Sequence, residues 1–279
     1  MNYSPKRLTL NSGITLEYVE QGDQRGTPIV FLHGITDSWH SFEPVFPFLP
    51  ADVRAIALSL RGHGDSSRPD QGYTPSHMAA DVNAALAALG ISRTVVVGHS
   101  MGSYVSQRLA IEHPGRVSGL VLIGTAPTFR GNSAVQSFWD EVVRDLDDPI
   151  DPAIAREFQE STVARPLSPA FLETVVRESL KVPARVWREA FAGLMEAEHT
   201  AELAKVNIPC LLLWGDHDNF FSHEHQQAML AAVPGCRLIA YEGLGHAPHW
   251  DDPKRVADDV VKFVGDLRRS DSSQVRSAA

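Results

Sequence analysis

The sequence predicts an α/β fold, in which helices cover both faces of a mostly parallel sheet. Short apolar runs alternate along the chain with longer amphipathic segments, as expected for buried parallel strands joined by crossover helices. One stretch, residues 126–205, breaks this alternation and shows only helical spacing of its apolar residues. The 279 residues, of which 43% are hydrophobic, suit one such domain with an insertion and a large buried core.

Two strands open the predicted sheet. Residues 8–10 and 14–20 flank Asn11-Ser12-Gly13, which is a hairpin-turn signal. Later apolar runs predict strands buried on both faces, at residues 29–32, 53–58, 94–97, 120–123, 210–214 and 237–241. Amphipathic segments between them predict helices at residues 75–89, 101–113, 222–232 and 253–268. In such sheets ligands bind at the carboxyl ends of the strands.

The segment 126–205 predicts a helical cap inserted into a core domain that is formed by residues 1–125 and 206–269. Prolines divide the segment into short helices, and it is rich in bulky apolar residues. Most of these side chains would form the cap's own core, whereas Trp187, Phe191 and Met195 are the first candidates for lining an apolar pocket beneath it. Residues 270–279 are polar and lack periodicity, which predicts a disordered tail.

Composition excludes several classes of partner. A formal net charge of −9 argues against nucleic acid, because phosphate neutralisation needs a basic surface. No apolar run approaches membrane-spanning length, and residues 1–10 lack the apolar core of a signal peptide, so we expect a cytoplasmic protein without membrane contact. Cys210 and Cys236 are expected to be reduced core residues. The twelve histidines are too scattered for a zinc signature, and no metal or cofactor is expected.

A serine occupies the apex of a strand-to-helix turn. Residues 98–102 read Gly-His-Ser-Met-Gly and lie between the predicted strand 94–97 and the helix that follows. A sharp turn of this kind forces Ser100 into a strained backbone conformation, which only small neighbours two positions away on each side allow. The turn would present the Ser100 hydroxyl at the end of the sheet, in the arrangement known as a nucleophile elbow.

Further motifs accompany this elbow in a fixed order. Residues 33–35 (His-Gly-Ile) follow the apolar run 29–32, and residues 61–66 read Arg-Gly-His-Gly-Asp-Ser. Downstream lie residues 214–218 (Trp-Gly-Asp-His-Asp) and 243–246 (Gly-Leu-Gly-His). With these motifs nearly the whole chain resembles the α/β-hydrolase superfamily, a resemblance that implies an α/β-hydrolase fold with an oxyanion turn, an acid loop and a histidine loop.

Hydrolysis by a serine requires a base and an acid. A serine hydroxyl is a poor nucleophile until an imidazole accepts its proton, and a carboxylate must hold that imidazole in the correct tautomer. His246 is the predicted base because it lies on a glycine-rich loop after the last strand, and His249 is the alternative. The resemblance implies Asp218 as the acid, from its position three residues after the loop glycine, whereas Asp216 is expected to fix the turn.

Two backbone N–H groups are the predicted oxyanion donors. Met101 begins the helix after the nucleophile, and Ile35 follows the His-Gly pair of the upstream turn. Both would act through the backbone, so their side chains are chemically free. His33 and His99 are expected to brace the surrounding loops rather than to act as bases.

These residues predict a hydrolase of carboxylic esters or lactones that works through an acyl-enzyme on a small to medium substrate, largely apolar near the scissile group. Ser100 stands where epoxide hydrolases and haloalkane dehalogenases carry an aspartate, so the resemblance does not extend to their chemistry. Three alternatives stay open. They are a cofactor-free haloperoxidase or perhydrolase, a hydrolase of carbon–carbon bonds, and a ligand receptor that retains the triad.

Overall fold

An eight-stranded sheet forms the centre of the protein, in a computed structural model that describes residues 3–277, with side chains to residue 270. The strand order is β1-β2-β4-β3-β5-β6-β7-β8. The strands are β1 Lys6–Thr9, β2 Thr15–Gly22, β3 Thr27–Leu32, β4 Val53–Ser59, β5 Thr94–His99, β6 Val117–Ile123, β7 Cys210–Gly215 and β8 Arg237–Tyr241. β1 and β2 form an antiparallel hairpin, β2 pairs antiparallel with β4, and β3 to β8 are parallel. The predicted mostly parallel sheet is confirmed.

Helices join the parallel strands. The α-helices are α1 Pro75–Ala88, α2 Met101–Glu112, α3 Ser133–Phe138, α4 Pro152–Ser161, α5 Pro169–Leu180, α6 Ala184–Met195, α7 Thr200–Leu203, α8 His223–Ala232, α9 Pro248–Asp251 and α10 Pro253–Ser277. Shorter helical turns occupy Trp39–Phe42, Phe46–Phe48, Pro114–Arg116 and Trp139–Val143. The sequence did not predict these turns or α9, because segments of three to five residues are too short to show a periodic pattern.

Prolines start helices in this chain. The Thr74 side chain caps α1 by accepting a hydrogen bond from the His77 N–H, and a proline occupies the first helical position. Asp151 caps α4 and Ser168 caps α5 in the same way, each again followed by proline. Proline has no backbone N–H, and the first turn of a helix does not need one. Pro152 and Pro169, which divide the segment 126–205, therefore also begin two of its helices.

The central strands of the sheet are buried on both faces, whereas the edge strand β8, for which the sequence predicts the same burial, is mostly half-buried or exposed. Side chains alternate along β5, so that Val96 packs in one apolar cluster whereas Val95 and Val97 pack in the other. The first cluster includes Val82 of α1, together with apolar side chains of α2 and α8. The second includes Phe263 of α10 and the turns that follow β3. This two-sided burial explains why the strands are continuous apolar runs rather than alternating ones.

The connection from β6 to β7 contains α3 to α7 and, within the described residues, no strand, apart from one isolated bridge between Thr128 and Glu198. Most of its buried apolar side chains belong to the first cluster of the core, whereas Val175 of α5 packs with Ala247 and Trp250 in a separate cluster. Trp187 is fully buried and Phe191 nearly so, whereas Met195 packs at the edge of the cluster. We refer to residues 124–209 as the β6–β7 connection.

The last helix is longer than the sequence predicts. We expected a helix over residues 253–268 and a disordered tail over residues 270–279. α10 runs to Ser277, and residues 278–279 lie outside the described part of the chain. No proline or glycine occurs between Asp266 and Ser277, so nothing in the sequence stops the helix. Polar composition alone is a poor stop signal. Among the described residues no helix is long and apolar enough to cross a membrane.

Candidate active site

Ser100 lies at the turn between β5 and α2 with φ +49° and ψ −115°. A non-glycine residue with positive φ is strained, and such strain is concentrated at functional sites. The Ser100 N–H donates to the Ile123 carbonyl oxygen at 2.9 Å, which ties the turn to the end of the neighbouring strand β6. The strand, the sharp turn and the helix are arranged as the sequence predicts.

Two glycines make this turn possible. A β-carbon at position 98 would lie 2.4 Å from both the Gly102 carbonyl oxygen and Ser106 Oγ. One at position 102 would lie 2.1 Å from the Leu32 carbonyl oxygen. Since β-carbon contacts below 3.0 Å essentially never occur, neither position accepts a larger residue unless the backbone moves. The two glycines let α2 pack directly against the ends of β3 and β5.

His246 and Asp218 form a hydrogen-bonded pair at the ends of β8 and β7. His246 Nδ1 donates to Asp218 Oδ2 at 3.0 Å. The other carboxylate oxygen accepts from the Phe220 N–H at 2.8 Å and the Phe221 N–H at 3.0 Å. The Asp218 side chain is fully buried. A carboxylate held on both oxygens has one orientation, and it fixes the His246 ring with Nε2 free to accept a proton.

The His246 ring lies beside the residues that anchor Ser100. A β-carbon at position 124 would lie 2.7 Å from both His246 Cε1 and Nδ1, so the ring packs on the Gly124 backbone. Gly124 directly follows Ile123, the residue that accepts the Ser100 N–H. The Phe220 ring covers the imidazole, with ring centroids 5.0 Å apart. The structure therefore brings the serine, the histidine and the aspartate to one edge of the sheet.

The two alternative residues make different contacts. Asp216 Oδ1 accepts from the Gly243 N–H at 2.7 Å, which joins two loops, as expected for a turn-fixing carboxylate. His249 is fully buried, and its Nε2 lies 3.2 Å from Ser41 Oγ. Its ring stacks on Phe42, with ring centroids 4.8 Å apart. Burial lowers the pKa of His249 to about 3, so the ring is neutral. Neither residue forms the imidazole–carboxylate pair.

The two predicted oxyanion donors belong to turns at the same edge of the sheet. Met101 is the first residue of α2, so its N–H has no acceptor within that helix. Ile35 lies in the turn that closes when the Asp37 N–H donates to the Gly34 carbonyl oxygen at 3.3 Å. Because β3 and β5 are adjacent and parallel, with Leu32 paired to Gly98, the two turns are neighbours.

Two further histidines brace this edge. His33 accepts from the Leu60 N–H at 2.9 Å through Nε2, and its Nδ1 donates to the Gly34 carbonyl oxygen at 2.7 Å. His99 Nε2 donates to the His246 carbonyl oxygen at 3.2 Å. Burial lowers the pKa of both rings well below the ordinary value, which keeps them neutral. These contacts agree with the bracing role that the sequence suggests.

The sequence did not reveal a buried polar cluster beside the Ile35 turn. The Asp37 carboxyl is buried and accepts from Gln159 Nε2 at 3.0 Å and from Ser41 Oγ at 3.3 Å. Burial raises the pKa of Asp37 to about 7, although both hydrogen bonds and the nearby His246 act in the opposite direction. His99 Nδ1 lies 3.9 Å from the same carboxyl. Asp37 follows no periodic pattern, so its burial left no signal in the sequence.

Comparison with known proteins agrees with the observed fold. A family model described as the alpha/beta hydrolase fold matches residues 27–253. A non-heme chloroperoxidase from Streptomyces lividans is 27% identical, over 92% of this chain and 98% of its own. An esterase from a Rhodococcus species superimposes with a TM-score of 0.80 at 29% identity, over 95% of this chain and 99% of its own. An esterase from Exiguobacterium antarcticum has the same fold, with a TM-score of 0.84 at 23% identity, over 94% and 100% of the two chains. With its elbow serine and this match over most of its length, the chain belongs to the α/β-hydrolase fold family.

Proposed function

We propose that the protein hydrolyses carboxylic esters or lactones through a serine acyl-enzyme. One observation carries the proposal. A strained elbow serine lies at the same edge of the sheet as a histidine whose Nδ1 donates to a buried carboxylate, and the order Ser100, Asp218, His246 is the order of this fold. The similarity to a Rhodococcus esterase at 29% identity supports the same chemistry.

In the first step Ser100 Oγ attacks the carbonyl carbon of the ester while His246 Nε2 accepts its proton. Asp218 stabilises the imidazolium that forms and stays ionised itself. Negative charge develops on the carbonyl oxygen, and the Met101 and Ile35 N–H groups are the proposed donors to it. These donors belong to fixed turns, so the protein does not reorganise when the charge forms.

The tetrahedral intermediate then collapses. The bond to the alkoxy oxygen breaks, His246 gives its proton to that oxygen, and the alcohol leaves. A water molecule attacks the acyl-enzyme with His246 again acting as base. The second collapse releases the acid and restores the Ser100 hydroxyl. With a lactone the alcohol and the acid remain parts of one hydroxy acid.

We propose that residues 126–205 act as a cap over this site and shape an apolar substrate pocket. Aromatic rings lead from the β6–β7 connection to the catalytic histidine. Phe138 stacks on Phe158 at 5.1 Å, Phe158 lies 6.5 Å from Phe220, and Phe220 contacts His246. An acyl or alkyl group would bind along these rings, next to Trp187, which packs against Phe158 at 5.6 Å.

A panel of aryl esters, alkyl esters and lactones, assayed with the wild-type protein and Ser100→Ala, tests the proposal. We expect turnover of at least one class by the wild type and a loss of about 10³-fold or more in Ser100→Ala. Hydrolysis that persists at the wild-type rate in Ser100→Ala would remove the serine mechanism. A folded, unreactive wild type would leave the hydrolase-like receptor as the better description.

A second candidate activity is perhydrolysis, which the similarity to a non-heme chloroperoxidase favours. Hydrogen peroxide would replace water in attacking the acyl-enzyme, and a peracid would leave in place of the acid. The catalytic residues are the same, so only the ratio of the two rates separates the activities. Peracid formation that exceeds hydrolysis at millimolar peroxide would establish perhydrolysis, whereas unchanged acid release would exclude it.

A further inference from the structure

The turn that carries the Ile35 N–H contains a strained residue. Thr36 has φ +67°, and apart from Ser100 it is the one non-glycine residue with positive φ among residues 3–277. A β-branched residue rarely adopts this conformation, so surrounding contacts must hold it. Thr36 is fully buried, which means that those contacts come from the protein itself.

The contacts come from the β6–β7 connection. Gln159 of α4 lies with Nε2 2.7 Å from Ser179 Oγ, 3.0 Å from Asp37 Oδ1 and 3.2 Å from Thr36 Oγ1. Thr36 Oγ1 also lies 3.1 Å from Ser179 Oγ of α5. All four side chains are buried. One amide thus joins two helices of the connection to two consecutive residues of the turn after β3.

The donors and acceptors of this cluster have one consistent arrangement. Ser179 Oγ donates to the Val175 carbonyl oxygen at 3.0 Å, so it accepts from its other neighbours. The two amide hydrogens of Gln159 then go to Ser179 and Asp37, and the Thr36 hydroxyl donates to Ser179. Gln159 Oε1 has no hydrogen-bond partner within the described part of the chain. The opposite amide orientation would place this oxygen 2.7 Å from Ser179 Oγ, whose hydrogen already goes to Val175, so the amide nitrogen must face Ser179.

We propose that Gln159 is a positioning residue, whose amide holds the Thr36–Asp37 turn in its strained form and thereby aims the Ile35 N–H at the oxyanion. This inference rests on the proposed serine hydrolysis. Gln159 donates to Asp37, and Thr36 donates to Ser179. These two hydrogen bonds hold the two residues that directly follow Ile35. Without the amide, Thr36 and Asp37 lose the contacts that Gln159 makes to them. The turn then relaxes, because the remaining contacts no longer hold Thr36 at a positive φ. An oxyanion donor that is displaced by about 1 Å costs up to about 10²-fold in rate.

Gln159→Met tests the proposal, since it keeps the length of the side chain and removes both N–H donors. We expect the rate at which a fluorophosphonate modifies Ser100 to fall by about 10- to 100-fold, because the phosphonyl oxygen needs the same donors. On an ester that the wild type hydrolyses, kcat should fall by a similar factor while KM stays near the wild-type value. Ser179→Ala should lower both rates in the same direction, by a smaller factor.

Ala155→Gly is the matched control. Ala155 is fully buried on α4, one turn before Gln159, and its substitution weakens the helix without touching the amide. We expect a lower Tm with both rates unchanged. Equal rates in Gln159→Met and the wild type, or equal losses in Gln159→Met and Ala155→Gly, would overturn the positioning role and leave the hydrolase proposal intact. A wild type that the fluorophosphonate does not modify would overturn both proposals.

Discussion

At the scale of single residues, hydrogen bonds separate candidates that the sequence leaves close together. Asp216 and Asp218 share one short loop, yet Asp216 bonds to a backbone N–H of the neighbouring loop whereas Asp218 bonds to His246. The difference arises because Asp218 is buried, with both oxygens occupied, while the Asp216 side chain is 36% exposed. Neighbouring carboxylates of one loop can thus have unrelated roles.

Exchange of these two carboxylates for amides gives a direct prediction. Asp218→Asn presents the wrong hydrogen-bonding group to His246 Nδ1, so kcat should fall by about 10⁴-fold with the fold intact. Asp216→Asn should keep kcat within a few-fold and lower Tm. Steady-state kinetics and circular dichroism check both variants. Near wild-type kcat in Asp218→Asn, together with an inactive and folded Asp216→Asn, would reverse the two roles.

The residues that the sequence identified least well are those whose partners lie far away along the chain. The elbow glycines, the serine and the histidine loop each follow a strand and carry a local signature. Gln159 and Asp37 are 122 positions apart, and their hydrogen bond exists only once α4 packs on the turn after β3. No local pattern reports such a contact. Thr36 likewise reveals its strain only in the backbone angles.

At the scale of elements, the strands were easier to predict than the turns between them. β3 to β7 are apolar runs because both faces of the sheet are covered there. A continuous apolar run identifies a buried strand even though apolar and polar residues do not alternate along it. The short turn Trp39–Phe42 and helix α9 have too few residues to show a period. A hydrogen bond nevertheless joins the two elements, since Trp250 Nε1 of α9 donates to the Ser41 carbonyl oxygen at 2.8 Å.

The elbow predicts how the protein responds to small substitutions. Gly98→Ala and Gly102→Ala each place a methyl group against backbone oxygen, so each should lower the free energy of unfolding by about 3 kcal/mol or more. Urea unfolding measures the change. Gly115→Ala is the control, because no atom lies within 4 Å of its β-carbon position and its φ is not positive. Similar stabilities for all three variants would contradict the close packing of α2 against β3.

At the scale of the whole molecule, buried imidazoles dominate the response to pH. Burial lowers the pKa of several histidines below the ordinary value of 6.5, in two cases to about 4 and in one to about 3. These residues are His33, His63, His99, His199 and His249. Asp37 acts in the opposite direction, since burial raises its pKa from 3.8 to about 7. The histidines outnumber it.

This balance predicts acid instability. At a pH between its folded and unfolded pKa values, each of these histidines binds a proton in the unfolded chain but not in the folded chain. The free energy of unfolding therefore has its full value above about pH 6.5 and decreases as the pH falls toward 4. Asp37 gains a proton in the folded state over the same range and offsets one histidine. We expect the free energy of unfolding to fall by more than about 1.4 kcal/mol per pH unit below pH 6. A Tm that rises or stays level from pH 7 to pH 5 would contradict this prediction.

The central claim is that Ser100 is the activated nucleophile of a hydrolase. Peptide mapping by mass spectrometry after treatment with a fluorophosphonate measures it most directly, because only a serine with a base and oxyanion donors reacts rapidly. We expect a single modified peptide that carries the phosphonyl group on Ser100, no modification of Ser100→Ala, and slow modification of His246→Ala. Modification of another serine, or an unmodified and folded wild type, would contradict the account.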